Sequence, residues 1–321
     1  MRNRVTTLLG IRYPIIQGGL AHIANGEFAA AVSNAGALGQ ITATSLPNPM
    51  DLRHEVERAR QLTSRPFAVN LAIGHRPLEP FLEIALDLKP MAISLTGGNP
   101  APYIRRIKDS GVLAMVLVAG VRQAQKAEQL GADVVIAVGY EGGGHLGRDD
   151  VGTLVLTRKV AESVSVPVIA SGGIGDGHGL LATMALGAEG IEMGTRFLAT
   201  RECPVHDNYK RALLESQESQ TCIIGKAIGS PGRVLARGFS DEILRQEQSG
   251  VPVEEILPLL SGDRNRKGAI DGQLEQGYVW AGQGVGLIHD TPFVSELVER
   301  IMHEAKTVYQ DLEGFWESSC G

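Results

Sequence analysis

The chain has 321 residues and a formal net charge of −6, with 43% hydrophobic and 21% charged residues. This composition is ordinary for a soluble globular protein, and its acidic balance argues against nucleic acid as the main partner. No run approaches the roughly 18 apolar residues of a membrane span, and no apolar signal core accompanies the basic N-terminus. The three scattered cysteines have no metal-like spacing. We therefore expect a cytoplasmic protein with reduced thiols, no membrane contact and no metal site.

Apolar runs alternate with helical patterns through the first two thirds of the chain. The predicted strands are 14–19, 38–42, 66–71, 91–95, 112–118, 133–138, 167–170 and 191–194. Helical spacing predicts helices over 27–35, 51–63, 78–88, 101–110, 122–130, 153–163 and 179–186. The strands read as continuous apolar runs rather than alternating ones, as is typical of a parallel sheet buried on both faces.

This β–α rhythm predicts a (β/α)8 TIM barrel, a fold that typically needs about 250 residues. An open, doubly wound sheet is the alternative architecture. It is disfavoured because no Gly-x-Gly-x-x-Gly motif opens the first turn after a strand.

The rhythm changes after residue 200. Helical or mixed patterns cover 206–217, 240–248 and 252–260, a polar basic loop covers 261–268, and an amphipathic helix covers 292–312. We predict that residues 1–204 and a C-terminal helix (about 290–321) form the barrel. Residues from about 205 to 289 form a helical substrate-side domain, which either caps the active site or packs in a homodimer.

Two glycine loops follow the seventh and eighth predicted strands. Ser171, Gly172 and Gly173 end one strand, and Gly194 and Thr195 follow the other. Barrels commonly bind phosphate at these two strand ends, where exposed main-chain N–H groups bind an anion without a lysine. The alternative is that these glycines only make turns. As a clamp, they favour a mononucleotide cofactor over a dinucleotide.

The first and third strand ends carry amide side chains. Gln17 precedes Gly18 and Gly19, whose missing side chains let main chain approach a flat ring. Asn70 ends the third strand and could bond ring heteroatoms, although asparagine also forms turns.

His145 follows Gly142, Gly143 and Gly144 just after the sixth strand. Its unperturbed pKa near 6.5 suits proton transfer around neutral pH, and the glycines give a substrate access. A solvated loop histidine is the alternative. His22, after the Gly18–Gly19 turn, and Tyr140, beside the His145 loop, are expected to border the substrate.

Taken together, these segments resemble the nitronate monooxygenase family, also called 2-nitropropane dioxygenase-like flavoproteins. The motifs are YPIIQGG at 13–19, AAAVSNAG at 29–36, Asn70, GGGH at 142–145, 167–173 and MGTRF at 193–197, and the resemblance extends through 281–283. It implies an FMN-binding barrel in which His145 matches the catalytic histidine. It also implies flavin contacts from Gln17, Gly18, Asn70, Gly143, Gly144, Gly172, Gly173, Gly194 and Thr195. We add Gly19 and Ser171, which are adjacent to residues of this set, as further predicted cofactor-binding residues.

The family is divided by activity. Its members oxidise alkyl nitronates with O₂, reduce quinones with NADH or NADPH, or reduce enoyl thioesters of acyl-carrier protein. The segment from Met193 to His206 resembles the first two groups, whereas Glu141 with its three glycines is closer to the enoyl reductases. Some relatives of the first group carry a lysine near the end of strand five, where this chain has Leu117.

We therefore expect an FMN-dependent oxidoreductase of the nitronate monooxygenase or quinone reductase type, with His145 as acid/base and NADH or NADPH as a possible reductant. An enoyl-acyl-carrier-protein reductase is the alternative enzyme. A flavin-binding sensor is the non-enzymatic alternative. A phosphosugar isomerase or aldolase is a further alternative, but no lysine ends strand six for Schiff-base chemistry.

Overall fold

The computed structural model describes residues 2–74 and 76–319. Eight parallel strands form one sheet, and the short strand β7 (Gly144–His145) lies outside it. The eight strands are β1 (Ile15–Gln17), β2 (Gly39–Thr42), β3 (Phe67–Ala72), β4 (Ala92–Thr96), β5 (Leu113–Val118), β6 (Val134–Val138), β8 (Val168–Ser171) and β9 (Gly190–Met193). Each predicted strand overlaps one of them.

The order of the sheet is β1-β9-β8-β6-β5-β4-β3-β2. Main-chain hydrogen bonds close it, because the Gln17 N–H donates to the Leu38 carbonyl (2.9 Å) and the Leu38 N–H donates to the Ile15 carbonyl (2.9 Å). This closed parallel sheet confirms the predicted (β/α)8 barrel. The seventh and eighth barrel strands are β8 and β9.

Helices cover the outside of the barrel. In chain order they begin with α1 (Arg4–Leu9), α2 (Gly26–Asn34), α3 (Pro49–Leu62), α4 (Glu79–Leu88), α5 (Ala101–Asp109), α6 (Val121–Gln129), α7 (Thr153–Ser163) and α8 (Gly177–Ala185). Helix α1 was not predicted from the sequence. Asn3 caps it by accepting from the Thr6 N–H (2.9 Å), and Gly10 ends it at φ 66°. Its Val5 and Leu9 pack with apolar residues of the barrel interior.

The interior of the barrel changes from apolar to polar along the strands. Ile16, Met115, Ile136 and Ile169 belong to the apolar cluster that also holds Val5 of α1. Toward the carboxyl ends of the strands, buried polar side chains replace them. We call this set the polar layer: Gln17, Gln40, Asn70, Ser94, Ser171 and Glu192.

The remaining helices follow β9: α9 (Thr195–Leu198), α10 (Asp207–Leu214), α11 (Phe239–Ser249), α12 (Val253–Ile256), α13 (Gly262–Ala269) and α14 (Val294–Ser319). Helix α14 returns to the barrel and packs on α8, where a side chain at Gly177 would lie 2.5 Å from the Ile301 carbonyl. Residues 320 and 321, which include Cys320, lie outside the described residues. No helix in the described part of the chain is long and apolar enough to cross a membrane.

The segment from about 205 to 289 differs from the helical prediction in two places. It contains β10 (Thr221–Ile224) and β11 (Gly232–Leu235), which form an antiparallel sheet with β7. Helix α13 occupies the predicted polar loop, since its Asn265, Gly268 and Ala269 are buried against neighbouring elements. Tertiary packing on one face therefore forms a helix from a sequence that reads as a loop. The domain boundaries themselves stay a prediction.

Candidate active site

The glycines after β8 form a bend that only glycine adopts easily. Gly172 has φ +102° and Gly173 has φ +74°. A side chain at Gly172 would lie 2.9 Å from the Gly139 carbonyl and 3.1 Å from the Gly142 N–H. Within the described chain, the N–H groups of Gly172 and Gly173 donate to no other residue. The bend therefore presents two main-chain donors and touches the loop that leads to His145.

The second glycine loop connects β9 to α9. Thr195 begins α9, and its hydroxyl accepts a hydrogen bond from the Gly282 N–H (2.9 Å). A side chain at Gly284 would lie 3.1 Å from the Gly173 carbonyl. Residues 281–284, which we call the return loop, thus join the two predicted phosphate-binding loops.

The return loop also contacts the His145 loop. The Gln283 N–H donates to the Glu141 carbonyl (2.9 Å), and a side chain at Gly143 would lie 2.6 Å from the Gly282 nitrogen. Glu141 in turn accepts from the main-chain N–H of Thr153 (2.7 Å) and so caps α7. The structure therefore brings together the loops after β6, β8 and β9.

His145 lies on β7 and pairs with Gly232 of β11. Its ring is exposed and lies 5.0 Å from the ring of Trp280 at a tilt of 44°. Gly144, at φ +85°, has open space where a side chain would project. The histidine is thus held from both sides, by the barrel loop and by the sheet of the 205–289 segment, with access left beside it.

Hydrogen bonds connect the polar layer across the barrel. The Gln40 N–H donates to Gln17 Oε1 (3.0 Å), and Gln40 Nε2 donates to the Gln17 carbonyl (2.8 Å). Ser94 donates to Gln40 Oε1 (2.6 Å) and accepts from Asn70 Nδ2 (2.9 Å). Asn70 Nδ2 also lies 2.8 Å from the hydroxyl of Thr96. Gln17 lies at the first strand end as predicted, but its side chain is fully buried and donates to the Gly18 carbonyl.

Asn70 presents its other amide atom to the first loop. A side chain at Gly19 would lie 2.5 Å from Asn70 Oδ1, and one at Gly18 would lie 3.4 Å from the carboxyl carbon of Glu192. Only glycine lets the main chain of the β1 loop lie directly on the polar layer. Gly18, Gly19 and Asn70 therefore share one surface at the mouth of the barrel.

Glu192 is the one acidic member of the polar layer. It is 4% exposed, accepts from the Ser171 hydroxyl (3.2 Å) and lies 3.4 Å from Gln40 Nε2. Burial raises the pKa of Glu192 to about 7, and the hydrogen bonds from Ser171 and Gln40 oppose that rise. A buried carboxyl with a pKa near neutrality is typical of functional sites.

The two predicted substrate neighbours, His22 and Tyr140, take different places. His22 adopts the left-handed region at φ 63°, and its N–H donates to Ser45 Oγ (2.9 Å). A side chain at Gly262, the first residue of α13, would lie 3.5 Å from His22 Nε2. Burial and the nearby charge of Arg266 lower the pKa of His22. His22 therefore lies where α13 approaches the first barrel loop.

Tyr140 is anchored to the 205–289 segment. Its carbonyl accepts from Arg233 Nη2 (2.9 Å), and the Arg233 guanidinium lies 5.6 Å from the centre of its ring. Arg233 is buried on β11. Tyr140 thus helps to hold β11 beside the His145 loop.

Several site residues were missed by the sequence analysis: Gln40, Ser94, Glu192, Arg233 and Trp280. Glu192 had a visible signal, since a carboxylate interrupts an apolar strand directly before the MGTRF motif. Trp280 had none, because only the fold brings it to His145. Across residues 2–74 and 76–319, no group of three or more His, Cys, Asp or Glu residues could hold a metal ion.

A family model described as nitronate monooxygenase matches residues 2–81 and 76–304. The chain belongs to the nitronate monooxygenase family. It is 30% identical to a probable nitronate monooxygenase of Staphylococcus haemolyticus, over 95% of this chain and 98% of that protein.

Two solved structures place the nitronate monooxygenase fold over the whole barrel. FabK from Thermotoga maritima superposes with a TM-score of 0.94 at 39% identity, covering 98% of this chain and 99% of that one. A nitroalkane oxidase from Streptomyces ansochromogenes superposes with a TM-score of 0.82 at 28% identity, covering 96% and 99%. The protein is therefore an oxidoreductase of a flavin-dependent enzyme family.

Proposed function

We propose that this enzyme binds FMN at the mouth of its barrel and exchanges electrons between that flavin and a small organic substrate held beside His145. The observation that carries the proposal is the convergence of the loops after β1, β6, β8 and β9, three of which the return loop joins. The flavin supplies the electron-accepting and electron-donating chemistry. The protein supplies binding, orientation and proton transfer.

The phosphate of FMN fits the two glycine loops. The N–H groups of Gly172 and Gly173 are without protein partners in the described chain, and the bend leaves no room for a side chain at Gly172. Gly194 and Thr195 supply further main-chain donors at the start of α9. Such N–H groups bind an anion through their dipoles alone.

The ring of FMN fits the surface that covers the polar layer. Gly18 and Gly19 expose main chain there, and Asn70 presents Oδ1 to the same loop. Gly143 and Gly144 leave open space on the His145 side. Ser171 lies between these surfaces, with its hydroxyl turned toward Glu192. Gln17 contributes by holding Gln40 and the Gly18 loop in place.

His145 is proposed to hold or move the substrate proton. With a nitroalkane it removes the proton next to the nitro group, and with a nitronate it holds the anion. With a quinone it supplies a proton or hydrogen bond as the substrate is reduced. Trp280 fixes the plane of the imidazole by ring contact, and β7 fixes its main chain. Oxidation of nitronates is the first candidate because the curated relative above, matched over nearly its whole length, is a probable nitronate monooxygenase.

Reduction of an enoyl thioester is the second candidate function. The higher identity to FabK, 39% against 28% for the nitroalkane oxidase, favours it. Glu141 beside three glycines also resembles the enoyl reductases, and here its carboxylate caps α7. In this reaction His145 protonates or hydrogen-bonds the substrate that accepts the hydride.

One experiment separates these functions. The purified, flavin-loaded protein is reduced without oxygen by NADH and by NADPH in turn, then mixed rapidly with propane-2-nitronate, a benzoquinone or crotonyl thioester. In parallel, the protein with its flavin oxidised is mixed with the nitronate. The fastest change in flavin absorbance identifies the substrate class. A protein that takes up no FMN would contradict the proposal as a whole.

A further inference from the structure

Glu192 of the polar layer is an acid at a position where a neutral amide could make the same hydrogen bonds. Glu192 has two partners, Ser171 Oγ and Gln40 Nε2, and both can donate to a neutral amide oxygen as well as to a carboxylate. A buried ionised carboxylate without a counter-charge is costly, whereas a neutral side chain of the same shape is not. Packing and hydrogen bonding therefore do not explain why this residue is an acid.

Within residues 2–74 and 76–319, no charged side chain compensates the charge of an ionised Glu192. The groups that face it are amides and hydroxyls: Gln40 from β2 and Ser171 from β8, with Gly18 of the β1 loop above. Its pKa is governed by burial and by the two hydrogen bonds, with no contribution from a charged side chain. A new charge nearby will therefore act on this carboxyl with little screening, because the interior has a low effective dielectric constant.

The position of Glu192 connects it to the proposed cofactor site on two sides. Its carboxyl carbon would lie 3.4 Å from a side chain at Gly18. Its other neighbour, Ser171, directly precedes Gly172 of the phosphate-binding bend. The carboxyl thus lies behind the main chain of two loops that are proposed to hold FMN.

We propose that Glu192 is a positioning residue for the flavin. The protonation of Glu192 is coupled to the redox state of the bound ring. This inference rests on the proposed FMN site. Two-electron reduction with one proton leaves the ring with one more negative charge than its oxidised form. That charge disfavours a second charge beneath Gly18, so the carboxylate takes up one proton from solvent. No bond to the flavin forms, and no electron moves to the protein.

The coupling is reciprocal, as linkage requires. An ionised Glu192 disfavours the reduced flavin, and a protonated one does not. At pH values above the pKa of Glu192, the ionised carboxylate therefore holds the reduction potential below that of a neutral variant.

The test is a spectroelectrochemical titration of the flavin-loaded enzyme between about pH 6 and pH 9, a range that spans neutral pH, with Glu192→Gln as the neutral variant of equal shape. In the wild-type protein, one additional proton per two electrons changes the reduction equilibrium by a further tenfold per pH unit, about 30 mV. The additional slope begins near neutral pH and is absent from Glu192→Gln. Glu192→Asp, which keeps a carboxyl, restores it.

A second variant keeps the proposal testable where Glu192→Gln loses its flavin. Ser171→Ala removes the hydroxyl that favours the ionised carboxyl, so the additional slope moves to higher pH. Equal slopes in the wild-type and variant proteins overturn the role of Glu192 and leave the FMN site standing. A wild-type protein that holds no flavin overturns both.

Discussion

The mouth of the barrel is built in two different ways on its two sides. On the β8–β9 side the groups offered to a ligand are main-chain N–H donors in glycine bends such as Gly172–Gly173. On the β1–β4 side they are buried amides and hydroxyls that hydrogen-bond to one another, such as Gln40, Asn70 and Ser94. The first side depends on side chains being absent, and the second depends on each being satisfied.

This difference predicts that substitutions on the two sides will impair different properties of the protein. A side chain added to a glycine bend meets main-chain atoms that cannot move away. A side chain removed from the polar layer leaves partners unsatisfied, which costs about 1–3 kcal/mol for each buried group. Damage on the first side should appear as lost ligand binding, and damage on the second as lost stability.

The largest effect is expected for Gly172→Val. The left-handed backbone alone costs about 1–2 kcal/mol for a residue other than glycine, and the new side chain lies 2.9 Å from the Gly139 carbonyl. We expect the purified variant to lose its flavin, measured by visible absorbance. Gly111→Val is the matched control, because Gly111 has φ +79° but open space around it. A flavin-replete Gly172→Val protein would contradict the assignment of this bend.

His145→Ala tests the group that stands between the two sides. A positioned acid or base contributes roughly 10²–10⁴-fold to rate. We expect turnover of the true substrate to fall at least about tenfold, toward that range, while flavin content is unchanged. His303→Ala, on the exposed face of α14, should leave the rate unchanged. An unaltered rate in His145→Ala would remove this histidine from the mechanism.

Ser94→Ala tests the polar layer alone. The hydroxyl donates to Gln40 Oε1 (2.6 Å) and accepts from Asn70 Nδ2 (2.9 Å), and the residue is fully buried. Its loss should lower the free energy of unfolding by about 1–3 kcal/mol, measured by urea denaturation. Flavin affinity should change less than in Gly172→Val. The reverse ranking would show that the two sides do not differ in the way we infer.

The smallest effect concerns the ion pair behind the β9 loop. Buried Arg196 contacts Asp290 Oδ1 at 2.8 Å. Burial raises the pKa of Asp290, but Arg300 and Arg196 outweigh it, so this pKa lies below its usual value. The pair therefore contributes stability at neutral pH that is lost as pH falls below about 4, the usual range of an aspartate. Asp290→Asn should remove this part of the pH dependence of unfolding, whereas an unchanged acid profile would assign it elsewhere.

The sequence predicted the barrel well because mostly apolar strand runs alternate regularly with helical patterns, and the absence of a Gly-x-Gly-x-x-Gly motif after the first strand disfavoured the open sheet. The sequence also predicted the glycine loops, because a glycine pair at a strand end is a local signal. The sequence did not predict the features that depend on contacts between residues distant in the chain. Gln40 and Ser94 read as incidental polar residues in strands, and β10 and β11 read as mixed structure. Trp280 reaches His145 across more than a hundred residues of chain.

The pairing of β7 with β11 has a consequence for how this enzyme changes during evolution. The histidine proposed to handle protons shares a ladder with Gly232 of the segment that we predict to lie on the substrate side. An insertion or substitution in that segment would therefore move β11 and His145 together. We therefore expect substrate preference and proton transfer to change together when this segment changes, so that grafting one relative's 205–289 segment onto another barrel alters its reactivity too.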